Sequence, residues 1–137
     1  NLTINIRGLI DRVDQRDNGE IRIIDYKTGS SKLSISDLED GTRLQLPIYA
    51  LAAKRTLDIG EPTDGFYWAI LAAKKSPLTL NRYGFSEAVD VMLDLIREAV
   101  TGASTGQFAP TPPEGGCPDY CPAVGWCPVY HPKKQWS

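Results

Sequence analysis

Two aspartates and a lysine near the start of the chain are the first residues that could do chemistry together. Asp11 lies in one β-rich run, Asp25 and Lys27 lie in the next, and the turn signal at residues 17–19 (DNG) lies between them. An Asn-Gly pair between two such runs predicts a β-hairpin. Side chains two residues apart on a strand point to the same face, so Asp25 and Lys27 should share a face, and strand pairing can bring Asp11 to it.

The paired carboxylates predict a divalent metal. Two carboxylates in one site repel each other, a divalent cation removes the repulsion, and oxygen ligands with open positions suit Mg²⁺ or Mn²⁺. Ile21 and Ile23 precede Asp25 on the same predicted face. We therefore expect the site at the end of an apolar, covered surface, where charges interact strongly. Phosphodiester hydrolysis needs a positioned water, a metal that lowers its pKa, and positive charge for the transition state.

Three blocks of sequence resemble the PD-(D/E)xK nuclease superfamily, and within it the RecB-type branch that includes the nuclease domains of RecB and AddB. In chain order they are residues 8–12 (GLIDR), 24–29 (IDYKTG) and 44–52 (LQLPIYALA). The resemblance covers most of the chain. It implies a restriction-endonuclease-like α/β fold, with a mixed β-sheet flanked by α-helices over residues 1–109. An irregular Cys-rich C-terminal tail would follow at residues 110–137.

The resemblance also implies a metal-dependent DNA exonuclease and assigns catalytic roles to Asp11, Asp25, Lys27, Gln45 and Tyr49. The two aspartates and the backbone carbonyl of Tyr26 would hold Mg²⁺ or Mn²⁺. Lys27 would orient or help to deprotonate the attacking water, while Gln45 and Tyr49 would support the site from a helix. We expect Lys27→Ala to abolish cleavage and to spare the fold, since it would remove one exposed charge.

The implied substrate is DNA, as ends or as single strands that emerge from a helicase domain or subunit. The net charge of −2 gives no global signal for nucleic acid, so a local patch must contact it. The candidate contacts are Arg12 and Arg43, with Arg7 and Lys32 in addition. No apolar run reaches membrane-spanning length and no signal peptide is visible, so we expect a cytoplasmic protein without a membrane partner.

One part of the family pattern has no counterpart here. In the RecB-type pattern a helix before the first strand supplies a His and a Glu to the site, whereas this chain begins at that strand. His131 is the single histidine and does not match the family position. We therefore expect a fragment of a longer protein, with weaker metal binding if the upstream part is physically absent.

Three cysteines cluster near the end of the chain, at Cys117, Cys121 and Cys127. An odd, clustered set favours a metal in a reducing compartment over a disulfide framework, and thiolates select zinc or iron–sulfur centres. The resemblance implies that this trio joins a distant upstream cysteine to hold a [4Fe–4S] cluster. A Cys3His zinc site that also uses His131 is the alternative.

Two other functions stay open on the sequence. A non-catalytic DNA-end-binding or scaffold module could share the fold, although the intact set of five catalytic residues argues against decay. An RNA-binding module built on the Cys3His zinc site is the other alternative, and zinc content would separate it from the nuclease.

The hydrophobic periodicity predicts four strands and two helices. The predicted strands are Leu2–Arg16 with a bend near Gly8, Glu20–Lys27, Gly65–Ala73 and Leu78–Phe85, with a turn at residues 74–77. The first helix is predicted from Ile35 or Asp37 to Leu57, with a capping box at Thr42 and Gln45 where it could restart. The second helix should start after an N-cap at Ser86, carry Met92 in the core, and end near Gly102.

Overall fold

The computed structural model describes residues 3–29, 33–112 and 115–131. Within them the elements follow in the order β1 (Arg12–Gln15), β2 (Glu20–Lys27), α1 (Ile35–Glu39), α2 (Gln45–Arg55), β3 (Glu61–Ala69), β4 (Lys74–Thr79), α3 (Leu80–Tyr83) and α4 (Phe85–Ser104). The chain divides into two compact units, Asn1–Glu98 and Ala99–Ser137, and all four strands lie in the first. The functional division at residue 109 stays a prediction.

The four strands form one mixed sheet in the order β1-β2-β3-β4. β1 and β2 form the predicted antiparallel hairpin, and Gly19 supplies the positive φ (82°) that its turn requires. β2 and β3 run parallel, so their connection must cross over, and it does so through α1 and α2. β4 returns antiparallel to β3. The predicted mixed α/β architecture is therefore present.

β2 carries the apolar face that the sequence predicts. Its bounds agree with the prediction, and Ile21, Ile23 and Asp25 are buried in turn along one face. α2 packs against this strand and against β3, which buries Leu46 and Ala50 in the same core. Burial of these apolar side chains stabilises the contact between α2 and the sheet, and that contact fixes the first turn of α2 above the end of β2.

The first predicted strand is wrong over most of its length. The structure assigns a strand only at Arg12–Gln15, while residues 3–10 adopt neither helix nor strand, and Leu2 lies outside the described residues. Ile4, Ile6 and Leu9 are exposed. Their alternation with polar residues resembles a half-buried strand, but within the described part of the chain no neighbouring strand pairs with them.

The helix predicted at Ile35–Leu57, with a possible restart at Thr42, is two helices in the structure, and the second begins at Gln45 instead of Thr42. Gly41 ends α1 with a positive φ of 75°. The hydroxyl of Thr42 donates to the backbone carbonyl of Asp37 (3.0 Å), so it serves the end of α1 and does not form the predicted capping box. Leu44 is the N-cap residue of α2. The split lets Pro47 lie in the first turn of α2, where a missing N–H costs no helical hydrogen bond.

The predicted fourth strand, Leu78–Phe85, and the turn before it are also wrong. The observed strand is β4 at Lys74–Thr79, so residues 74–77, predicted as a turn, belong to the strand. The turn lies earlier, at Ala73, which has a positive φ of 48°. Thr79 then accepts a hydrogen bond from the backbone N–H of Arg82 (3.2 Å), and this N-cap starts α3. The helix cap at Thr79 therefore ends β4, whereas the alternation of apolar residues had predicted that the strand continues to Phe85.

α4 is the long second helix of the prediction, with Met92 buried as a core residue. It begins at Phe85, so the predicted N-cap at Ser86 is wrong, and it ends at Ser104, near the predicted Gly102. In the part of the chain that the structure describes, no helix is both long enough and apolar enough to cross a membrane.

The N-terminus of α1 carries a pH-sensitive cap. Asp37 accepts hydrogen bonds from the backbone N–H (2.5 Å) and the hydroxyl (2.8 Å) of Ser34. These bonds favour the carboxylate, and the backbone bond is the main cause of a lowered pKa of Asp37. A lowered folded-state pKa stabilises the fold above the unfolded-state pKa, and this stabilisation is lost as the pH falls through the folded value.

Replacing Asp37 with alanine should therefore lower the free energy of unfolding at pH 7 by about 1 kcal/mol. At pH 3 the difference between the variant and the wild type should shrink. Urea denaturation at both pH values measures it. Asp40→Ala is the matched control, because Asp40 is exposed at the other end of α1. An equal loss at both pH values would contradict the assignment.

Candidate active site

A buried ion pair lies at the end of β2. Asp25 is only 2% exposed, and its Oδ2 lies 2.6 Å from Nζ of Lys27. The Lys27 ammonium also donates a hydrogen bond to Oε1 of Gln45 (2.7 Å). A buried carboxylate needs such compensation, because an unpaired charge in the interior is very costly. The structure thus joins three of the predicted catalytic residues in one contact network.

Two of the predicted residues come from α2. Gln45 is the first residue of this helix and Tyr49 lies one turn further, so their side chains meet on one face. Nε2 of Gln45 lies 3.5 Å from the Tyr49 hydroxyl, at the limit of a hydrogen bond. Gln45 therefore connects the Lys27 ammonium on one side with Tyr49 on the other.

Asp11 reaches the same end of the sheet from the residue before β1. Its Oδ2 accepts a hydrogen bond from the backbone N–H of Tyr26 (2.8 Å), between Asp25 and Lys27 in the chain. The Tyr26 side chain points to the opposite face and is 38% exposed. The structure thus places the Asp11 carboxylate against the backbone N–H of Tyr26, and the predicted ligand set stays a prediction.

The donor atoms at this site fit a hard divalent cation. Oδ2 of Asp25 is buried, and none of the described residues donates a hydrogen bond to it, since its close contact with Lys27 lacks hydrogen-bond geometry. The other donors would be the Asp11 carboxylate and the Tyr26 carbonyl, and such oxygen ligands suit Mg²⁺ or Mn²⁺. Among the described residues, no three His, Cys, Asp or Glu side chains are placed together as a metal-binding group. A metal here would therefore depend on the backbone carbonyl as well as the two carboxylates.

Three of the predicted DNA contacts lie in the described residues and are exposed, but Arg12 already has partners within the protein. Arg12 forms an ion pair with Asp14 (Nε to Oδ1, 2.6 Å) and donates to the Tyr26 hydroxyl (3.3 Å). Arg43 is exposed just before α2, and Arg7 is exposed in the segment before β1. Lys32 lies outside the described residues. Arg43 therefore offers a charge at the α2 side of the site.

Tyr67 belongs to this site, although the sequence analysis did not select it. It pairs with Asp25 across the parallel β2–β3 ladder, and it is 1% exposed. Nζ of Lys27 lies 5.3 Å from the centre of its ring. In the sequence it stands in an aromatic run (FYW) that is typical of a core strand. Only the register between β2 and β3 reveals its position, and the residues give no direct signal for that register.

The cysteines do not form a ligand group in the described part of the chain. Cys117 is buried, Cys121 and Cys127 are partly buried, and all three are free thiols. The backbone N–H of Cys117 donates to the carbonyl of His131 (2.7 Å), which brings the two ends of this segment together. No three Cys or His side chains meet there as metal ligands, so this arrangement is not a ready-made metal site. The iron–sulfur and zinc hypotheses both stay predictions.

Comparison with known proteins gives a family and several relatives. The model of the PD-(D/E)XK nuclease superfamily matches residues 1–128. The Gene 69 protein of Mycobacterium phage D29 is 30% identical over 128 residues, covering 93% of this chain and 44% of that protein. Its counterpart in Mycobacterium phage L5 is 32% identical over 132 residues, covering 93% of this chain and 41% of that protein. This chain thus spans less than half of either phage protein.

A second group of relatives shares a shorter region. One subunit of the ATP-dependent helicase/deoxyribonuclease from Thermoanaerobacter sp. (strain X514) is 45% identical over 75 residues, covering 49% of this chain and 6% of that subunit. The same subunit from Carboxydothermus hydrogenoformans is 41% identical over 70 residues, covering 46% of this chain and 6% of the subunit. No solved structure matches the chain significantly.

Proposed function

Because this chain belongs to the PD-(D/E)XK nuclease superfamily and is of the RecB/AddB type, we propose that it is a divalent-metal-dependent deoxyribonuclease domain that degrades DNA as an exonuclease. The family match and the mixed sheet flanked by helices confirm the restriction-endonuclease-like α/β fold of the sequence analysis. Metal dependence, DNA as the substrate and exonucleolytic action go beyond the family and are the content of the proposal.

The observation that supports this proposal best is the contact network around Lys27. A buried carboxylate, a lysine ammonium and a glutamine carbonyl meet within 2.6 and 2.7 Å at the end of an apolar strand face. A surface hairpin with ordinary charges would leave these groups in water. Instead, the fold buries the Asp25 carboxylate and partly buries Lys27 and Gln45. Because burial of a charge costs desolvation free energy, such an arrangement is typical of functional sites.

The chain's own residues would bind and orient the reactants. Asp11, Asp25 and the Tyr26 carbonyl would hold Mg²⁺ or Mn²⁺, which when bound lowers the pKa of a water and stabilises negative charge on the phosphate. The Lys27 ammonium is held by Gln45, so it can hydrogen-bond the attacking water or a phosphate oxygen without first being ordered. Its positive charge would stabilise the negative charge that develops on the phosphate in the transition state.

The substrate path would follow the exposed arginines. Arg43 lies just before α2, and Arg12 begins β1 beside Asp11. Guanidinium groups bind phosphates well, so these two residues would position the DNA backbone and carry no sequence preference. Two of the relatives above are named as helicase/deoxyribonuclease subunits. We extend the proposal to a helicase domain or subunit that delivers DNA ends or single strands to this site.

Digestion of end-labelled single-stranded DNA tests the proposal. The wild type should cleave with Mg²⁺ or Mn²⁺ and stop when EDTA removes the metal, and Asp25→Ala should not cleave under any condition. The matched control is Asp40→Ala, which removes an exposed aspartate at the end of α1 and should cleave normally. Metal-independent cleavage, or cleavage that survives in Asp25→Ala, would contradict the proposed site.

The same assay separates the alternatives. DNA binding by the wild type without cleavage would favour the DNA-end-binding or scaffold module. Stoichiometric zinc together with preferential RNA binding would favour the Cys3His module. Iron and zinc contents should therefore be measured on the same preparations that are used for cleavage.

A further inference from the structure

The ring of Tyr67 lies next to the ammonium group of Lys27. Tyr67 sits on β3 next to Asp25 on β2, and its side chain enters the core shared by the sheet and α2. Its ring centre is 5.3 Å from the Lys27 ammonium, within the range of a cation–π interaction. Lys27 thus contacts three different groups, which are the Asp25 carboxylate, the Gln45 carbonyl oxygen and the Tyr67 ring.

The hydroxyl of Tyr67 faces the start of α2. The backbone N–H of Leu46 is directed at the phenol oxygen and favours the ionised form, but desolvation is the larger effect and raises the pKa of Tyr67 well above its usual value. The oxygen is fully buried, and none of the described residues completes a hydrogen bond with it. Tyr67 thus fills the space between Lys27 and the helix turn that carries Gln45.

From this geometry we propose that Tyr67 is a positioning residue that fixes the Lys27 ammonium in the site. A free lysine side chain is a flexible four-carbon stem, and ordering it costs side-chain entropy. The ring supplies a rigid surface near the Lys27 ammonium in addition to its contacts with Asp25 and Gln45. Tyr67 itself would touch neither the substrate nor the metal.

The hydroxyl and the ring of Tyr67 have separable roles. Tyr67→Phe keeps the ring and removes only the phenol oxygen, so we expect cleavage within about threefold of the wild type. Tyr67→Leu removes the ring but keeps an apolar side chain in the core. Because a displaced catalytic group can cost up to about 100-fold in rate, we expect kcat to fall by about 10- to 100-fold. The affinity for DNA should stay within about twofold, since Tyr67 is buried and contacts no DNA.

If Tyr67 only stabilised the fold, another core truncation of equal stability should lower kcat as much as Tyr67→Leu does. Leu78→Ala is the matched control, because Leu78 is also 1% exposed in the same core and its truncation should destabilise the fold. All assays should run well below the Tm of each variant. If Leu78→Ala loses as much kcat as Tyr67→Leu at equal stability, or if Tyr67→Leu cleaves like the wild type, the positioning role is wrong.

The proposed function underlies the kinetic test, so a readout that needs no cleavage is required as well. ¹⁵N spectra of the lysine ammonium groups provide it, with the Lys27 signal assigned by its absence in Lys27→Met. The aromatic ring should shift the resonance of the Lys27 ammonium in the wild type and in Tyr67→Phe. In Tyr67→Leu this ring-induced change in chemical shift should be absent. An unchanged signal in Tyr67→Leu would overturn the inference. Failure of the wild type to cleave DNA would overturn only the proposed nuclease activity.

Discussion

Replacing Lys27 with methionine should lower the rate of DNA cleavage by about 10³-fold, while the affinity for DNA changes by less than about twofold. Methionine keeps the apolar stem and removes the ammonium that would stabilise the phosphate in the transition state. Single-turnover cleavage of end-labelled DNA and a separate binding titration measure the two quantities. Equal losses of binding and cleavage would contradict a catalytic role and indicate a simple phosphate contact.

The structure also changes the expected effect of this substitution on the fold. Lys27 was expected to carry an exposed charge, but its side chain is only 24% exposed and pairs with the buried Asp25. Removing one partner leaves a buried carboxylate without compensation. Because Lys27 retains some solvent contact, we expect a loss of about 1 to 3 kcal/mol in the free energy of unfolding, less than for a fully buried pair.

A double variant separates the two effects. Asp25→Asn combined with Lys27→Met removes both charges, so it should recover most of the stability that Lys27→Met loses, while cleavage stays absent. Lys54→Met is the matched control, because Lys54 on α2 also pairs with a carboxylate, but that carboxylate, on Glu61, is exposed. It should cleave normally and lose little stability. If the double variant is no more stable than the single one, the buried pair is not the cause of the loss.

The largest expected loss of stability comes from Gly60→Ala. Gly60 has φ 143°, a conformation that side-chain-bearing residues rarely adopt, and it lies directly before β3. A Cβ atom there would overlap the carbonyl oxygen of Gly19 and lie 2.7 Å from Cγ2 of Ile21. The carbonyl oxygen of Gly19 belongs to the backbone, so it cannot move aside by a side-chain rotation. We expect the free energy of unfolding to fall by about 2 to 4 kcal/mol.

Gly29→Ala is the control for this substitution. A Cβ atom at Gly29 would meet no atom within 4 Å, and its φ lies outside the left-handed region. Its stability should stay within about 0.5 kcal/mol of the wild type. Urea denaturation of both variants measures the difference, and a Gly60→Ala protein as stable as Gly29→Ala would show that the hairpin turn and β3 are not packed as described.

Local signals in the sequence were enough for some elements of the fold. The Asn-Gly turn and the alternation of Ile21 and Ile23 place β2 at its observed bounds, because hairpin turns and half-buried strands are encoded by adjacent residues. The break at Gly41 and the start of α3 at Thr79 depend on positive φ angles and caps that apolar periodicity does not report. The segment before β1 resembles a strand in its pattern, but strand formation also requires a neighbour.

The site was partly within reach of the sequence. Asp25 and Lys27 share a face for simple geometric reasons, and the family resemblance placed Gln45 at the site on a helix. The hydrogen bond between Lys27 and Gln45 itself was not predicted. Tyr67 was missed because its position depends on the parallel register between β2 and β3, two strands that are separated by both helices of the crossover. Residues brought together by such long-range pairing leave no spacing signal in the sequence.

The two outer strands of the sheet also bear on aggregation. An exposed sheet edge offers unpaired backbone groups to other chains, and proteins blunt such edges with short strands, charges or proline. β4 carries Pro77, which has no N–H, and the N–H of Leu78 is already bonded to the carbonyl of Leu33 (3.1 Å). β1 has only four residues and begins with the charged Arg12. Edge-to-edge polymerisation is thus disfavoured on both sides, and other macromolecules should meet this sheet through its side chains.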